Sequence, residues 1–233
     1  MKKTLSILLA IGMTATCLSG CGTTTSAATT DASEAETVSA AEASSQAPAS
    51  EETSSNEATG VVIDASMNYL CIQTTDGEAL SLQIADDSDT SALSDGILLG
   101  HGIKVSYDAD ENLIKAEDAD TAAGDADALA AAGDVILAVS NKDIDALADL
   151  CSYPVYIGIG DGKEEDSKES FLADYKADDV FTDALVSSVS TADLTSVTIS
   201  EAGLVLSKDG AKPDIILSKT GDNGEWTVTG INE

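Results

Sequence analysis

The chain of 233 residues contains no arginine and few positive charges of any kind. Eleven lysines stand against 42 aspartates and glutamates, so the formal net charge at pH 7 is −31. Nucleic-acid binding depends on cationic side chains that replace the counterions around phosphate groups. The composition therefore argues against a nucleic-acid partner, and it indicates a protein whose like charges keep it soluble.

Histidine is scarce too, because His101 is the only one in the chain and lies between two glycines. A metal ligand or a general base is the functional interpretation, but no second histidine and no cysteine pair with zinc spacing accompanies it. We favour a loop histidine in a tight glycine turn. The sequence also lacks a nucleophile elbow, a phosphate-binding loop and a metal cluster. It therefore predicts no metal, no cofactor and no enzymatic activity.

An acidic stretch at 108–112, Asp-Ala-Asp-Glu-Asn, alternates oxygen ligands as a calcium-binding loop does. It departs from that pattern at the sixth position, where Leu113 replaces glycine, and at the twelfth, where Ala119 replaces glutamate. We favour a hairpin turn, and a weak calcium site is the alternative.

Cysteine is used four times. Cys71 and Cys151 lie in the parts of the chain with regular hydrophobic patterns, and an oxidising compartment would permit a disulfide between them. Cys151 has helical spacing with Ile144 and Leu147, so the helix predicted at 144–151 would bury it. Because a small buried hydrophobe is the common role of a free cysteine, we expect both thiols to be unpaired.

The N-terminus carries the pattern of a secretion signal. Two lysines precede an apolar run at 5–15, which is shorter than the roughly 20 residues that span a bilayer. The run leads into Leu-Ser-Gly-Cys, ending at Cys21, which resembles the lipobox of bacterial lipoproteins. The resemblance implies a signal peptide at 1–20 and a diacylglycerol on the Cys21 sulfur. We therefore expect a protein anchored in the cell membrane on its extracytoplasmic side, with a Gram-positive-type surface favoured.

Residues 21–59 contain almost nothing that could form a core. Serine, threonine, alanine and glutamate dominate, and Val38 is the only sizeable apolar side chain. The entropy of ordering such a segment is not offset by burial, so the sequence predicts a disordered acidic tether. As a flexible coil it would hold its ends about 35 Å apart.

Residues 60–120 alternate in hydrophobicity as short strands do. Five strands are predicted, with a helical turn and a loop after the third, and Asp76-Gly77 predicts a type I′ hairpin turn. This order resembles an OB-type β-barrel, which implies a small closed domain. OB domains bind oligonucleotides through aromatic and basic residues on strands two and three, but here those strands offer Tyr69 and no base. We expect a spacer, or a module that contacts protein or glycan.

Residues 121–233 predict an α+β domain, with helices first, then a strand, a further helix and a run of antiparallel strands. A resemblance to the nuclear transport factor two-like superfamily is carried by YPVYIG (153–158), SKESFLADYKADDVFT (167–182), EAGLVLSKDG (201–210) and EWTVTGIN (225–232). The resemblance implies a cone-shaped domain in which a bent antiparallel sheet wraps around helices and encloses a pocket. That superfamily includes isomerases, dehydratases and non-catalytic binding domains, so the fold alone selects no activity.

Four side chains are the candidates for this pocket: Tyr156, Asp174, Tyr175 and Trp226. Core packing would explain two of them as well, since Tyr175 follows Phe171 at helical spacing and Trp226 alternates with Val228. The domain contains no histidine, so only a carboxylate or a phenol could act there as an acid or a base.

Together these features predict a lipoprotein that binds or scaffolds at the cell surface, with an envelope protein or a cell-wall glycan as its partner. The alternative is a small-molecule site, catalytic or not, in the C-terminal pocket. A filled interior with Tyr156 and Asp174 pointing outward would favour scaffolding. An open cavity with converging polar groups would favour the ligand site.

Overall fold

The computed structural model describes residues 55–233. The predicted signal peptide, the lipid-bearing Cys21 and the tether as far as residue 54 lie outside the described residues. The described residues belong to one compact unit. They form five helices and two six-stranded sheets, so the predicted α+β class is confirmed.

Six strands precede the first helix: β1 (Asn56–Ser66), β2 (Tyr69–Thr74), β3 (Ala79–Gln83), β4 (Asp89–Ala92), β5 (Gly102–Tyr107) and β6 (Leu113–Asp118). The helices are α1 (Ala126–Ser140), α2 (Ile144–Asp149), α3 (Lys168–Asp174), α4 (Ala177–Val180) and α5 (Asp183–Ser190). The remaining strands are β7 (Cys151–Gly158), β8 (Lys163–Glu165), β9 (Ile199–Ser200), β10 (Gly203–Leu206), β11 (Asp214–Thr220) and β12 (Glu225–Asn232).

Strand β1 lies at the centre of the first sheet, whose order is β3-β2-β1-β5-β6-β4. Its first four residues, 56–59, belong to the predicted tether, and they form a strand because they pair with β5. Glu57 lies opposite Ser106, and its carboxylate is 3.0 Å from the Lys104 ammonium group. Cross-strand pairing therefore orders residues whose own composition predicts a coil.

The hairpin predicted at Asp76-Gly77 joins β2 to β3 and is confirmed. Its predicted turn type is wrong, since a type I′ turn needs positive φ at both central residues. Here only Gly77 has a positive φ, at 77°.

The closed five-stranded barrel is not confirmed. Closure would pair β3 with β6, but these strands meet only through an isolated bridge between Gln83 and Asn112. The outer edge of β6 is occupied by β4, which comes from the segment predicted as a helical turn and loop. The first sheet is therefore open, with β3 at one end.

The second sheet has the order β8-β7-β12-β11-β10-β9. Strands β9 to β12 pair antiparallel as predicted, but β12 runs parallel to β7. The expectation of a wholly antiparallel sheet is wrong because helices and other strands separate β7 from β12. Such a long connection permits parallel pairing, whereas a hairpin does not. Helices α1 and α5 contact the middle strands of this sheet.

Strand β1 also connects the two cores, because both of its faces are buried. Successive side chains of a strand point to opposite sides, so Val62 packs inside the first sheet while Val61 and Ile63 join the core around α1. The regions predicted as two domains, divided near residue 120, therefore share part of one core.

Candidate functional site

The space between the second sheet and its helices is filled with apolar side chains. Leu129 and Ile136 of α1, Phe171 of α3 and Leu185 of α5 are buried there. In the described part of the chain, a packed core thus occupies the position of the pocket that the resemblance implied.

Tyr156 lies on the outer face of β7 and is 44% exposed. Its neighbours Val155 and Ile157 point into the core, as alternation along a strand requires. The Tyr156 hydroxyl lies over Gly162, where an added Cβ would approach it to 2.4 Å. This tyrosine therefore covers the β7–β8 hairpin and lies on the opposite side of the sheet from the core.

Asp174 and Tyr175 do come together, around a lysine that the sequence analysis did not identify. Lys163 of β8 forms an ion pair with Asp174, and its Nζ lies 5.7 Å from the centre of the Tyr175 ring. The same Nζ is 2.8 Å from Oε1 of Glu165, a residue only 3% exposed. Hydrogen bonding to Asp174 and Glu165 raises the pKa of Lys163.

We call Lys163, Glu165 and Asp174 the lysine–carboxylate cluster. Because Lys163 stays protonated at neutral pH, it neutralises the buried Glu165 carboxylate and does not act as a base. Alternation along the strands could have identified this pair from the sequence. Lys163 and Glu165 lie opposite Ile157 and Val155, so both are on the core-facing side of the hairpin.

Trp226 belongs to a separate cluster at the start of α1. The Nζ atom of Lys219, its cross-strand neighbour, lies 5.3 Å from the centre of the indole ring and 3.0 Å from Oδ2 of Asp125. Asp125 also caps α1 by accepting a hydrogen bond from the Ala128 amide. Burial raises the pKa of Asp125, but hydrogen bonds from Ala128 and Lys219 outweigh it and lower that pKa overall. The four side chains predicted for one pocket thus lie at three separate places.

An open cleft of about 480 Å³ lies in the first sheet, between β1, the β2–β3 hairpin and the end of β5. We call it the acidic cleft, because its charged lining residues are Glu57, Asp76, Glu78, Glu111 and Lys104. Leu80 and Tyr107 contribute apolar surface. The ion pair of Lys104 with Glu57 leaves three further carboxylates in excess. The sequence alone indicates no site here, because these residues come from segments far apart along the chain.

His101 lies in the loop before β5, in a surface depression that also contains Ser94 and Asp118. Ser94 donates hydrogen bonds to Asp118 through both its amide and its hydroxyl, and these bonds lower the pKa of that carboxyl. Within residues 55–233, no group of three or more histidine, cysteine, aspartate or glutamate side chains is placed to hold a metal ion.

The stretch at 108–112 forms the predicted hairpin turn between β5 and β6. The backbone amides of Asp110 and Asn112 each donate a hydrogen bond of 2.9 Å to the Asp108 carboxylate. The side-chain amide of Asn112 donates a third, also of 2.9 Å. The bonds from Asn112 are the main cause of a lowered pKa at Asp108. The Asp108 carboxylate, the first ligand of the suggested calcium loop, therefore holds the turn together.

Cys71 and Cys151 are both buried and unpaired, as expected. The predicted helix through Cys151 is wrong at its end, because α2 stops at Asp149 and Cys151 begins β7. The Cys151 thiol donates to the Leu147 carbonyl at 3.3 Å, and burial raises its pKa to about 12. It behaves as a small hydrophobe.

None of the helices in residues 55–233 has the length and apolarity needed to cross a membrane. Comparison with models of known families, with curated proteins and with solved structures finds nothing that matches the chain. Its function must be inferred from its own residues and their geometry.

Proposed function

We propose that this chain is a lipoprotein, anchored on the extracytoplasmic side of the cell membrane through a diacylglycerol on Cys21, that acts by binding or scaffolding. The lipobox-like sequence ending at Cys21 supports the anchor. Two acyl chains are enough for stable attachment, since each buried CH₂ contributes about 0.8 kcal/mol. The excess of acidic residues supports a membrane contact made by the lipid and not by attraction to anionic headgroups.

One observation carries the binding role: the interior behind the second sheet is filled, while the acidic cleft of the first sheet is open. The Asp174 side chain is 48% exposed and Tyr156 is exposed too, as expected for a scaffold surface. The volume of the acidic cleft falls in the range of about 300–1,000 Å³ that is usual for binding sites. We therefore assign contact with an envelope protein or a cell-wall glycan to the first sheet.

Finer fold assignments belong to the same proposal. The strand pairing supports an OB-like sheet that does not close. Strand β1 pairs with β2 on one side and with β5 on the other, and only the Gln83–Asn112 bridge joins β3 to the far end of the sheet. The order of elements after residue 120 supports a cone-shaped domain similar to the nuclear transport factor two-like superfamily. That order is two helices, a strand hairpin, three helices and four final strands.

Labelling of growing cells with a radioactive fatty acid tests the anchor. The wild-type protein should incorporate the label and Cys21→Ala should not. Cys17→Ala is the matched control, because it changes the other N-terminal cysteine, and it should label like the wild type. Labelling that persists in Cys21→Ala would contradict the lipid attachment.

The alternative, a small-molecule or enzymatic site in the C-terminal domain, has weaker support. Its predicted residues lie at three places. Of the two that come together, Asp174 belongs to the lysine–carboxylate cluster and the Tyr175 ring lies beside its lysine. There the carboxylates of Glu165 and Asp174 are both ion-paired with Lys163.

A further inference from the structure

The two sheets of the described residues end in four edge strands: β3, β4, β8 and β9. An exposed edge presents unpaired backbone groups, and proteins usually protect it with a short strand, charged residues, proline or an irregular register. Three of the four edges follow this rule. Strand β9 has two residues, β8 consists of three charged residues, and β4 has four residues with a register shift.

Strand β3 lacks such protection. Its sequence, Ala-Leu-Ser-Leu-Gln, contains no charge and no proline, and its five residues pair with β2 in continuous register. On the side of β3 that faces away from β2, only its last residue, Gln83, is paired, through an isolated β-bridge to Asn112. The strand presents about 16 Å of edge, at about 3.3 Å per residue.

The hydrogen bonds indicate which backbone groups face this open edge. The Glu78 carbonyl accepts a bond of 2.9 Å from the end of β2, so the backbone of Glu78 faces that strand. Because the direction alternates along an antiparallel pair, the N–H and C=O groups of Ala79 and Ser81 face the open side. The Gln83 amide, next in this series, donates across the open side to the Glu111 carbonyl, which agrees with the assignment.

The acidic cleft begins at the same edge, since Ala79 and Leu80 line it. Its excess of carboxylates attracts a cationic segment and repels an anionic one. Leu80 and Tyr107 offer apolar surface for the methylene stem of a lysine or arginine side chain.

We infer that the open edge of β3 binds an extended peptide segment of an exported partner, which adds as a further strand and places lysine or arginine side chains in the acidic cleft. Main-chain hydrogen bonds at Ala79 and Ser81 provide affinity, and the carboxylates provide the preference for positive charge. The inference rests on the proposed binding role and deepens it, because it names the surface and the chemistry of the partner.

Two other occupants fit this edge less well. The chain's own segment at 21–54 contains acids and no lysine, so the acidic cleft would repel it. A second copy that paired β3 with β3 would bring two acidic clefts together, and like charges at an interface are unfavourable.

Peptide titration tests the inference on the full-length protein in a neutral detergent. The probe is the end-blocked peptide Lys-Val-Lys-Val-Lys-Val-Lys, and Glu-Val-Glu-Val-Glu-Val-Glu is its matched control. We expect saturable binding of the lysine peptide at low salt, at least about tenfold tighter than the control and weakened by added salt. Hydrogen exchange at the Ala79 and Ser81 amides should slow on binding, because both amides become hydrogen-bonded.

Substitutions at Ser81 separate the backbone from the side chain. Ser81→Pro removes the N–H at the open edge, a position where a strand tolerates proline, and should weaken binding about tenfold or more. Ser81→Ala keeps the N–H and removes only the hydroxyl, so binding should change less than about twofold. Glu78→Gln combined with Glu111→Gln should weaken binding roughly fivefold by reducing the negative charge.

Three results would overturn the inference: no binding, equal binding of both peptides, or slowed exchange elsewhere but not at Ala79 and Ser81. Dimerisation that Ser81→Pro abolishes would also overturn it, since the edge would then belong to a second copy. If Ser81→Pro does not fold, the exchange measurement on the wild type decides alone. A failure of fatty-acid labelling at Cys21 would contradict the proposed anchor and leave these titrations unaffected.

Discussion

Gly133 of α1 lies directly against Ile63 of β1. An added Cβ at position 133 would come within 2.9 Å of the Ile63 Cγ2 methyl and 3.3 Å of its Cα. At this contact the helix of the second core meets the central strand of the first sheet. The close approach needs a residue without a side chain, and it explains how two regions with separate sequence patterns form one compact unit.

Gly133→Ala should destabilise the protein. Alanine favours a helix by about 1 kcal/mol over glycine, but overpacking a tight contact costs about 1–3 kcal/mol. We expect a net loss of about 1 kcal/mol in the free energy of unfolding, measured by urea denaturation. In an Ile63→Ala background the obstructing methyl is gone, so the same change should cost little or stabilise. An equal cost in both backgrounds would contradict the contact.

Lys163→Ala should destabilise the protein because it leaves the Glu165 carboxylate buried without its ion pair. We expect a lower free energy of unfolding, since a buried charge without a partner is costly. Lys163→Ala combined with Glu165→Gln should recover most of that loss, since no buried charge then remains. Denaturation of the two single variants, the double variant and the wild type measures the effect. A double variant less stable than Lys163→Ala would show that Glu165 is not the group that needs the lysine.

Asp125→Asn should reduce the acid sensitivity of the protein. Because the folded-state pKa of Asp125 is lowered from 3.8, its stabilising contribution is complete above that value and is lost as pH falls through the lower folded-state pKa. The wild type should therefore lose more stability than Asp125→Asn between neutral pH and about pH 2. Asparagine still caps a helix, whereas Asp125→Ala should cost about 1 kcal/mol at neutral pH. Identical acid sensitivity of wild type and Asp125→Asn would contradict this role.

Cys151 should resist alkylation while the protein is folded. Burial excludes the reagent, and a pKa of about 12 leaves almost no thiolate at neutral pH. Mass spectrometry after iodoacetamide treatment measures modification of Cys151 and Cys71 separately. Both should react in urea, which serves as the control. Modification of Cys151 at the same rate in the folded protein and in urea would rule out the buried thiol.

Local patterns predicted much of the secondary structure, because alternation and turn residues depend on near neighbours. Leu70 and Ile72 alternate as core residues of β2, and Gly77 turns the chain into β3. Helix α1 is one of the helices predicted at the start of residues 121–233, and Leu129 and Ile136 lie on its buried side. In each case the signal lies within one element.

The features that the sequence did not predict depend on pairing between residues far apart along the chain. Glu57 has the composition of a tether, and only its pairing with β5 makes it part of a strand. Strand β4 pairs with the edge of β6 that would have to pair with β3 in a closed barrel, and the residues of β4 do not predict this pairing. Lys163 meets Asp174 only because strand β8 packs against α3.

Photo-crosslinking in intact cells tests most directly the central claim that the first sheet, and not the second, contacts the partner. A photoreactive amino acid is placed at Ala79, beside the acidic cleft, or at Tyr156, on the outer face of the second sheet. We expect a defined adduct from position 79 that the lysine peptide suppresses, and none from position 156. An adduct from position 156 alone would contradict the claim.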